Sequence, residues 1–230
     1  MNITKENEIH PSVIIDGDVV LGKNNRILPY TILRGPLSIG DNNIIGPHCA
    51  IGTPGADTRN PRYNDASCKI QIGNNNIIRE FSSIQKPCYE DLTIIKNDVH
   101  IMPGVTIQHD SILEDQVTLT AGVTLAGLTR ILKGSYLGMG ATVSQRNVIG
   151  QYSIVAMGAP AIKGVKPFSR YIPGQPLSVN TYAIDKYGFT GQSKEIEQYV
   201  INNLRPTSTK LVEIISIYEN LLKERNPREY

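Results

Sequence analysis

A chain of 230 residues with three cysteines and a formal charge of +2 is long enough to bury a sizeable core without cross-links. The odd cysteine count, with no CxxC pair and no histidine at ligand spacing, points to a reducing compartment and away from structural zinc. Lys and Arg are dispersed, which argues against nucleic acid as the main ligand. No apolar run approaches the ~20 residues of a membrane span. With no basic and then apolar leader after Met1, the expectation is a soluble, cytoplasmic protein.

From the N-terminus, aliphatic residues recur every six positions: Ile9, Ile15, Leu21, Ile27, Leu33, Ile39, Ile45 and Ile51. A break follows, predicted to insert a loop over about residues 53–69 that carries Asp57, Thr58 and Arg59. The register resumes at Ile72, Ile78 and Ile84, breaks briefly near Cys88, Tyr89, Glu90 and Asp91, and then runs from Ile95 through Ile107, Leu125 and Val143 to Val155. Two residues before these the residue is usually small or β-branched, as at Val19, Cys49, Val105, Ser111, Thr129 and Ala141. Alternate residues therefore point inward, in short strands cut by Gly or Asn turns. An amphipathic helix cannot give this recurrence, because 3.6 residues per turn would rotate the stripe off its face.

One strand and turn of six residues cannot bury its own aliphatic residue. Stacked as three-sided coils, such units build a triangular prism with one continuous core, and eighteen residues return to the same face. The expected fold class is an all-β parallel β-helix over residues 1–165, followed by an extended crossover over 166–192, where Pro167, Pro173 and Pro176 stand. A helical hairpin, the small C-terminal α-helical domain, is predicted over 193–230. Ser193 is the candidate cap of a helix over about 194–204 and Pro206 its stop, with Thr207 or Ser208 capping the second helix. Leu211, Ile214, Ile215, Tyr218, Leu221 and Leu222 stand at helical spacing, so the second helix should bury one stripe.

Several strings, in order along nearly the whole chain, resemble the left-handed β-helix acyltransferases of the hexapeptide-repeat class. Within that class they are most similar to the UDP-N-acetylglucosamine O-acyltransferases that use acyl-carrier protein. These strings are Ile9-His10-Pro11-Ser12, Ile72 to Glu80, Ile107-Gln108-His109-Asp110, Leu125-Ala126-Gly127, and Val179-Asn180 followed by Lys186-Tyr187-Gly188-Phe189. The resemblance implies a left-handed coil, a homotrimer with sites between subunits, a nucleotide-sugar substrate, and acyl-carrier protein or CoA as thioester co-substrate. It implies no tightly bound cofactor and no metal. Thr106 and Leu128 stand where the resembled enzymes have further histidines, and Gly158-Ala159-Pro160-Ala161 is more similar to the end of the sugar acetyltransferases that use acetyl-CoA.

Acyl transfer needs a base, donors for the oxyanion and a clamp for the substrate. His109 is the expected base, with Asp110 fixing its tautomer; His10, His48 and His100 lack such a context. Gly127, eighteen residues on, should lie above His109 and, by the resemblance, offer its N–H to the oxyanion. Asp57, Arg59, Gln145, Lys163 and Lys186 are the expected substrate-binding residues, with Lys163, Lys166, Arg170 and Lys186 expected to gather where the prism ends. Two other readings stay open: an N-acetyltransferase of nucleotide-linked amino sugars, and a non-catalytic scaffold or metal trimer, which the scattered histidines support poorly.

Overall fold

The computed structural model describes residues 6–225. Residues 1–5 and 226–230, the outer ends of the expected first and last segments, lie outside the described residues. Hydrogen bonding sorts the short strands into three sheets of ten, eight and seven strands. Register explains why. Ile9, Ile27, Ile45, Ile78, Ile101, Leu119, Leu137 and Val155 stack in one column. Ile15, Leu33, Ile51, Ile84, Ile107, Leu125, Val143 and Ala161 form the second. Leu21, Ile39, Ile72, Ile95, Leu113, Ile131 and Ile149 form the third. All but Ile9 and Ile15, in the first coil, are buried. Burying one such side chain stabilises by ~1.5–3 kcal/mol, so the three columns are the main source of stability.

Corners of the prism require left-handed backbone, and the sequence supplies it unevenly. One corner uses Tyr30, His48 and Phe81 in three successive coils, then Gly104, Gly122, Gly140 and Gly158 in the next four. The three rings stack, with centroids 5.0 and 5.3 Å apart. Another corner is held by asparagines that the hydrophobic pattern does not reveal. Asn25, Asn43 and Asn76 are wholly buried. Asn43 accepts from the Asn76 N–H at 2.9 Å and donates through Nδ2 to Asn25 Oδ1 at 2.9 Å and to the Gly73 carbonyl at 3.0 Å. Each side chain thus pairs turn groups that would otherwise be buried without partners.

The excursion between strands Ala50–Thr53 and Lys69–Ile72 is the loop expected after Ile51. The segment expected to be an extended crossover is more structured than its prolines suggest. Ser169–Tyr171 adds a further strand beside Ile154–Val155, Ser178–Val179 pairs antiparallel to it, and α1 (Thr181–Lys186) follows with Asn180 as cap. The reason is an aromatic cluster: Phe168 and Phe189 are fully buried and Tyr152 packs against both. A 3-10 turn over Thr190–Gln192 leads directly into α2 (Ser193–Asn202). Ser193 is therefore the first helical residue and not the cap, and Asn203 in left-handed backbone ends the helix before Pro206 is reached.

The last helix, α3 (Thr209–Arg225), starts where the Glu195 carboxylate of α2 accepts from the N–H groups of Thr207 and Ser208, at 2.7 and 3.0 Å. It buries Leu211, Ile215 and Tyr218; Tyr218, Leu221 and Leu222 pack on Leu132 and Val148 of the seven-stranded sheet.

Asn43→Ala takes the side-chain partner from the Asn76 N–H and the Gly73 carbonyl inside the prism, at ~1–3 kcal/mol for each buried group. The expected result is a clearly lowered thermal midpoint, while Glu8→Ala, which ends an exposed ion pair with Arg26, leaves it unchanged.

Candidate active site

The corner between the eight-stranded and seven-stranded sheets carries the chemistry. Ile107 closes a strand of the second column, so the chain turns at His109 and Asp110, and Asp110 takes the left-handed conformation at φ 61°. That turn brings two adjacent side chains together: His109 Nδ1 lies 2.7 Å from Asp110 Oδ2. Asp110 is fully buried and His109 is 7% exposed. The carboxylate also accepts from the backbone N–H of Cys88 and Tyr89 at 3.2 Å and of Glu90 at 2.7 Å. Burial pushes the Asp110 carboxyl up, but hydrogen bonds from His109 and these amides outweigh it and hold the group below the ordinary carboxylate value. An ionised Asp110 requires the proton on Nδ1, which leaves Nε2 with its lone pair free.

Gly127 sits directly over the imidazole. A Cβ there would meet His109 Cε1 at 2.1 Å and Nε2 at 2.5 Å, so only glycine fits beside this ring. The next residue, Leu128, is left-handed at φ 65° and donates its N–H to the His109 carbonyl at 2.9 Å.

The excursion closes over the same spot. A Cβ at Gly55 would lie 3.6 Å from His109 Cβ and 3.1 Å from Cys88 Sγ. Asp57 and Arg59 clasp each other through Arg59 Nε and Asp57 Oδ1 at 2.9 Å. The Asp57 carboxyl is held below its ordinary value chiefly by this guanidinium, and His109 contributes to the same shift. The short second break, Cys88 to Asp91, lies against the first loop through Arg62, which donates to the Tyr89 carbonyl at 3.2 Å and pairs with Asp91 at 2.7 Å.

The other expected residues divide. Gln145 and Lys163 share a cavity farther up the same corner. Lys186 is elsewhere, on α1, with its ammonium 5.7 and 5.1 Å from the ring centroids of Tyr182 and Tyr187. Lys166 does not join a cationic cluster either, since it hydrogen bonds to Asn203 and lies 5.2 Å from the Tyr199 ring centroid, fastening α2 to the prism. The expected gathering of Lys163, Lys166, Arg170 and Lys186 is corrected accordingly.

Sequence reasoning missed the groups that hold the dyad. Tyr89 lies tilted against His109 with centroids 5.4 Å apart. Arg130 is 6% exposed, donates to the Asp110 carbonyl at 2.8 Å and pairs with Glu90 at 2.6 Å. An arginine at an outward strand position reads as solvated until the second break is seen to fold over it.

Cys88, His109 and Asp110 bring ligand atoms within 4.8 Å of one another, the only such trio among the described residues. The donor set suits a metal poorly. Burial, with Asp110 nearby, pushes the Cys88 thiol up to about 11, and the carboxylate is already engaged by three amides and the imidazole.

These features define a left-handed β-helix of hexapeptide repeats with a histidine–aspartate pair at one corner. Residues 18–53 match the family described as bacterial transferase hexapeptide (six repeats). The chain is similar to UDP-N-acetylglucosamine acyltransferases. It superposes on the enzyme of Francisella novicida with a TM-score of 0.72 at 27% identity, over 97% of this chain and 84% of that one. Acyl-[acyl-carrier-protein]–UDP-N-acetylglucosamine O-acyltransferases of Herminiimonas arsenicoxydans and Verminephrobacter eiseniae are 29% and 30% identical over 60% and 59% of this chain. The chain spans about half the length of these curated relatives, 54% and 53%. The likeness read from the residue strings is thus found again by direct comparison. None of the described helices is long and apolar enough to cross a membrane.

Gly127→Ala should displace the imidazole and break its bond to Asp110, seen as loss of the downfield Nδ1 proton resonance. Gly140→Ala, with no atom within 4 Å of the new Cβ, should keep that resonance and lose only ~1 kcal/mol of stability from its left-handed backbone. Because Asp110 titrates below its ordinary value of 3.8 in the folded chain, its stabilisation is complete above that value and is lost as pH falls through the lower folded one. Acid unfolding should therefore show a stability loss below pH 3.8 that the Asp110→Asn chain lacks.

Proposed function

We propose that the chain is an acyltransferase that moves an acyl group from a pantetheine thioester to a hydroxyl of a nucleotide-linked sugar such as UDP-N-acetylglucosamine. The observation that carries this reading is the His109–Asp110 pair, bonded at 2.7 Å, with the side-chain-free Gly127 immediately over the ring. Likeness to enzymes of that activity supports it.

His109 Nε2 takes the proton from the acceptor hydroxyl as its oxygen attacks the thioester carbonyl, and Asp110 stabilises the imidazolium that forms. Charge develops on the carbonyl oxygen. No acceptor lies against the Gly127 N–H among the described residues, so this amide serves as oxyanion donor. Collapse of the intermediate expels the thiolate, which recovers the proton from His109. Asp57 and Arg59 bind the acceptor, Arg59 suiting its phosphates and Asp57 the sugar hydroxyls. Gln145 and Lys163 face the donor. The working form is a cytoplasmic homotrimer, in which neighbouring copies wall the groove in front of His109; acyl-carrier protein or CoA supplies the thioester, and no tightly bound cofactor takes part.

The test is mass spectrometry of products after incubation with UDP- and dTDP-sugars and both donor classes, with sedimentation to read the assembly. Product of acylated sugar is expected, and its absence with every pair overturns the reading. His109→Ala should lower kcat by ~10²–10⁴-fold for an oxygen acceptor. Asp110→Asn should do the same with the fold intact, because a carboxamide donating to Nδ1 moves the ring proton to Nε2. An amine acceptor would show only a modest loss in both variants, which is the outcome that selects N-transfer.

A further inference from the structure

Among the side chains around the dyad, that of Tyr89 takes no part in the core. It is 46% exposed, and the one ring it meets among the described residues is that of His109, with centroids 5.4 Å apart and planes inclined by 35°. Its hydroxyl bonds to no described residue. A ring of this size is ordinarily kept because it can be buried, and on this loop it stands half in water.

Its stem, by contrast, is fixed on both sides. The backbone N–H of Tyr89 is given to the Asp110 carboxylate at 3.2 Å, and its carbonyl accepts from the Arg62 guanidinium at 3.2 Å. The flanking amides of Cys88 and Glu90 go to the same carboxylate, at 3.2 and 2.7 Å, and the Glu90 side chain is tied to Arg130 at 2.6 Å. Arg62 in turn reaches Asp91 at 2.7 Å. A tyrosine on such a stem has two side-chain torsions left to fix, so a ligand that covers the ring loses little entropy in ordering it.

The ring also joins two parts of the site that no other side chain connects in the acyl-transfer reading. One side of it faces the base, and its phenol lies near the clamp of the first loop. The Arg59 guanidinium is held above its ordinary value chiefly by its hydrogen bond with Asp57, and the Tyr89 phenol adds to the effect. An acceptor hydroxyl has to come within ~3 Å of the base. The sugar ring that bears this hydroxyl then lies alongside Tyr89, with its phosphates toward Arg59. A pyranose offers a face of C–H bonds, weakly positive, to the negative face of an aromatic ring. We propose that Tyr89 is the platform on which the pyranose ring of the acceptor lies, so that this residue sets the preference for a sugar-bearing nucleotide. The assignment rests on the acyl-transfer reading and adds to it a residue that reads the sugar itself, where Arg59 reads the phosphates.

Calorimetric titration of the full chain with UDP-N-acetylglucosamine and with UDP, which lacks the sugar, tests it. Tyr89→Ala should weaken the sugar nucleotide by about fivefold and leave UDP unchanged. Tyr89→Phe, which keeps the ring, should restore most of that loss. The downfield Nδ1 proton resonance of His109 should persist in both variants, because Asp110 and Gly127 still hold the imidazole. An equal loss for UDP assigns the ring to the nucleotide and overturns the proposal, and so does unchanged binding of the sugar nucleotide in Tyr89→Ala. A Tyr89→Phe chain as weak as Tyr89→Ala assigns the contact to the hydroxyl and overturns it as well. Disappearance of the Nδ1 resonance in Tyr89→Ala overturns it in favour of a ring that only positions the imidazole. Failure of the acyl-transfer reading shows separately, as no acylated product from the wild-type chain with either donor class.

Discussion

Vertical register between coils is the constraint on which everything else depends. Each strand takes its hydrogen bonds from the strand one coil below, and the spacing of eighteen, or of 23 and 33 where loops intervene, is the only one that keeps the aliphatic columns inside. A shift by one residue would turn the columns out to solvent. Because the register cannot slip, side chains far apart in sequence are held at the same corner in fixed order, and a loop inserted at that corner must fold over them.

The dyad is a product of this rigidity. A histidine followed by an aspartate in an open turn would sample many rotamers. Here the left-handed Asp110 is trapped between a turn it must make and three amides from the second break, while Arg130 pulls on its carbonyl. The imidazole is then confined between Asp110, Tyr89 and the backbone of Gly127. The cost of burying a carboxylate is met by local hydrogen bonds.

The core was legible because inward positions obey one chemical rule, repeated without ambiguity. Ile45 and Leu119 could be assigned to the interior from spacing alone, and His109 and Gly127 to one corner by counting coils. The asparagine ladder was not, since Asn43 and the exposed Asn42 look alike in sequence and only burial separates them. Arg130 was missed for a related reason: its partner Glu90 lies forty residues away in a break with no periodicity of its own. The crossover after Ala161 was misjudged because prolines speak only for themselves, whereas Phe168 and Phe189 draw the intervening chain into a strand and a helix.

The contact between His109 and Gly127 couples the histories of two positions. With the imidazole in place, any β-carbon at 127 is excluded. A lineage that abandoned the histidine would release position 127 to the ordinary drift of a turn. The two sites therefore have to be inherited as a pair, and among descendants of this chain the residue above the corner serves as a record of whether the ring beneath it is still in use.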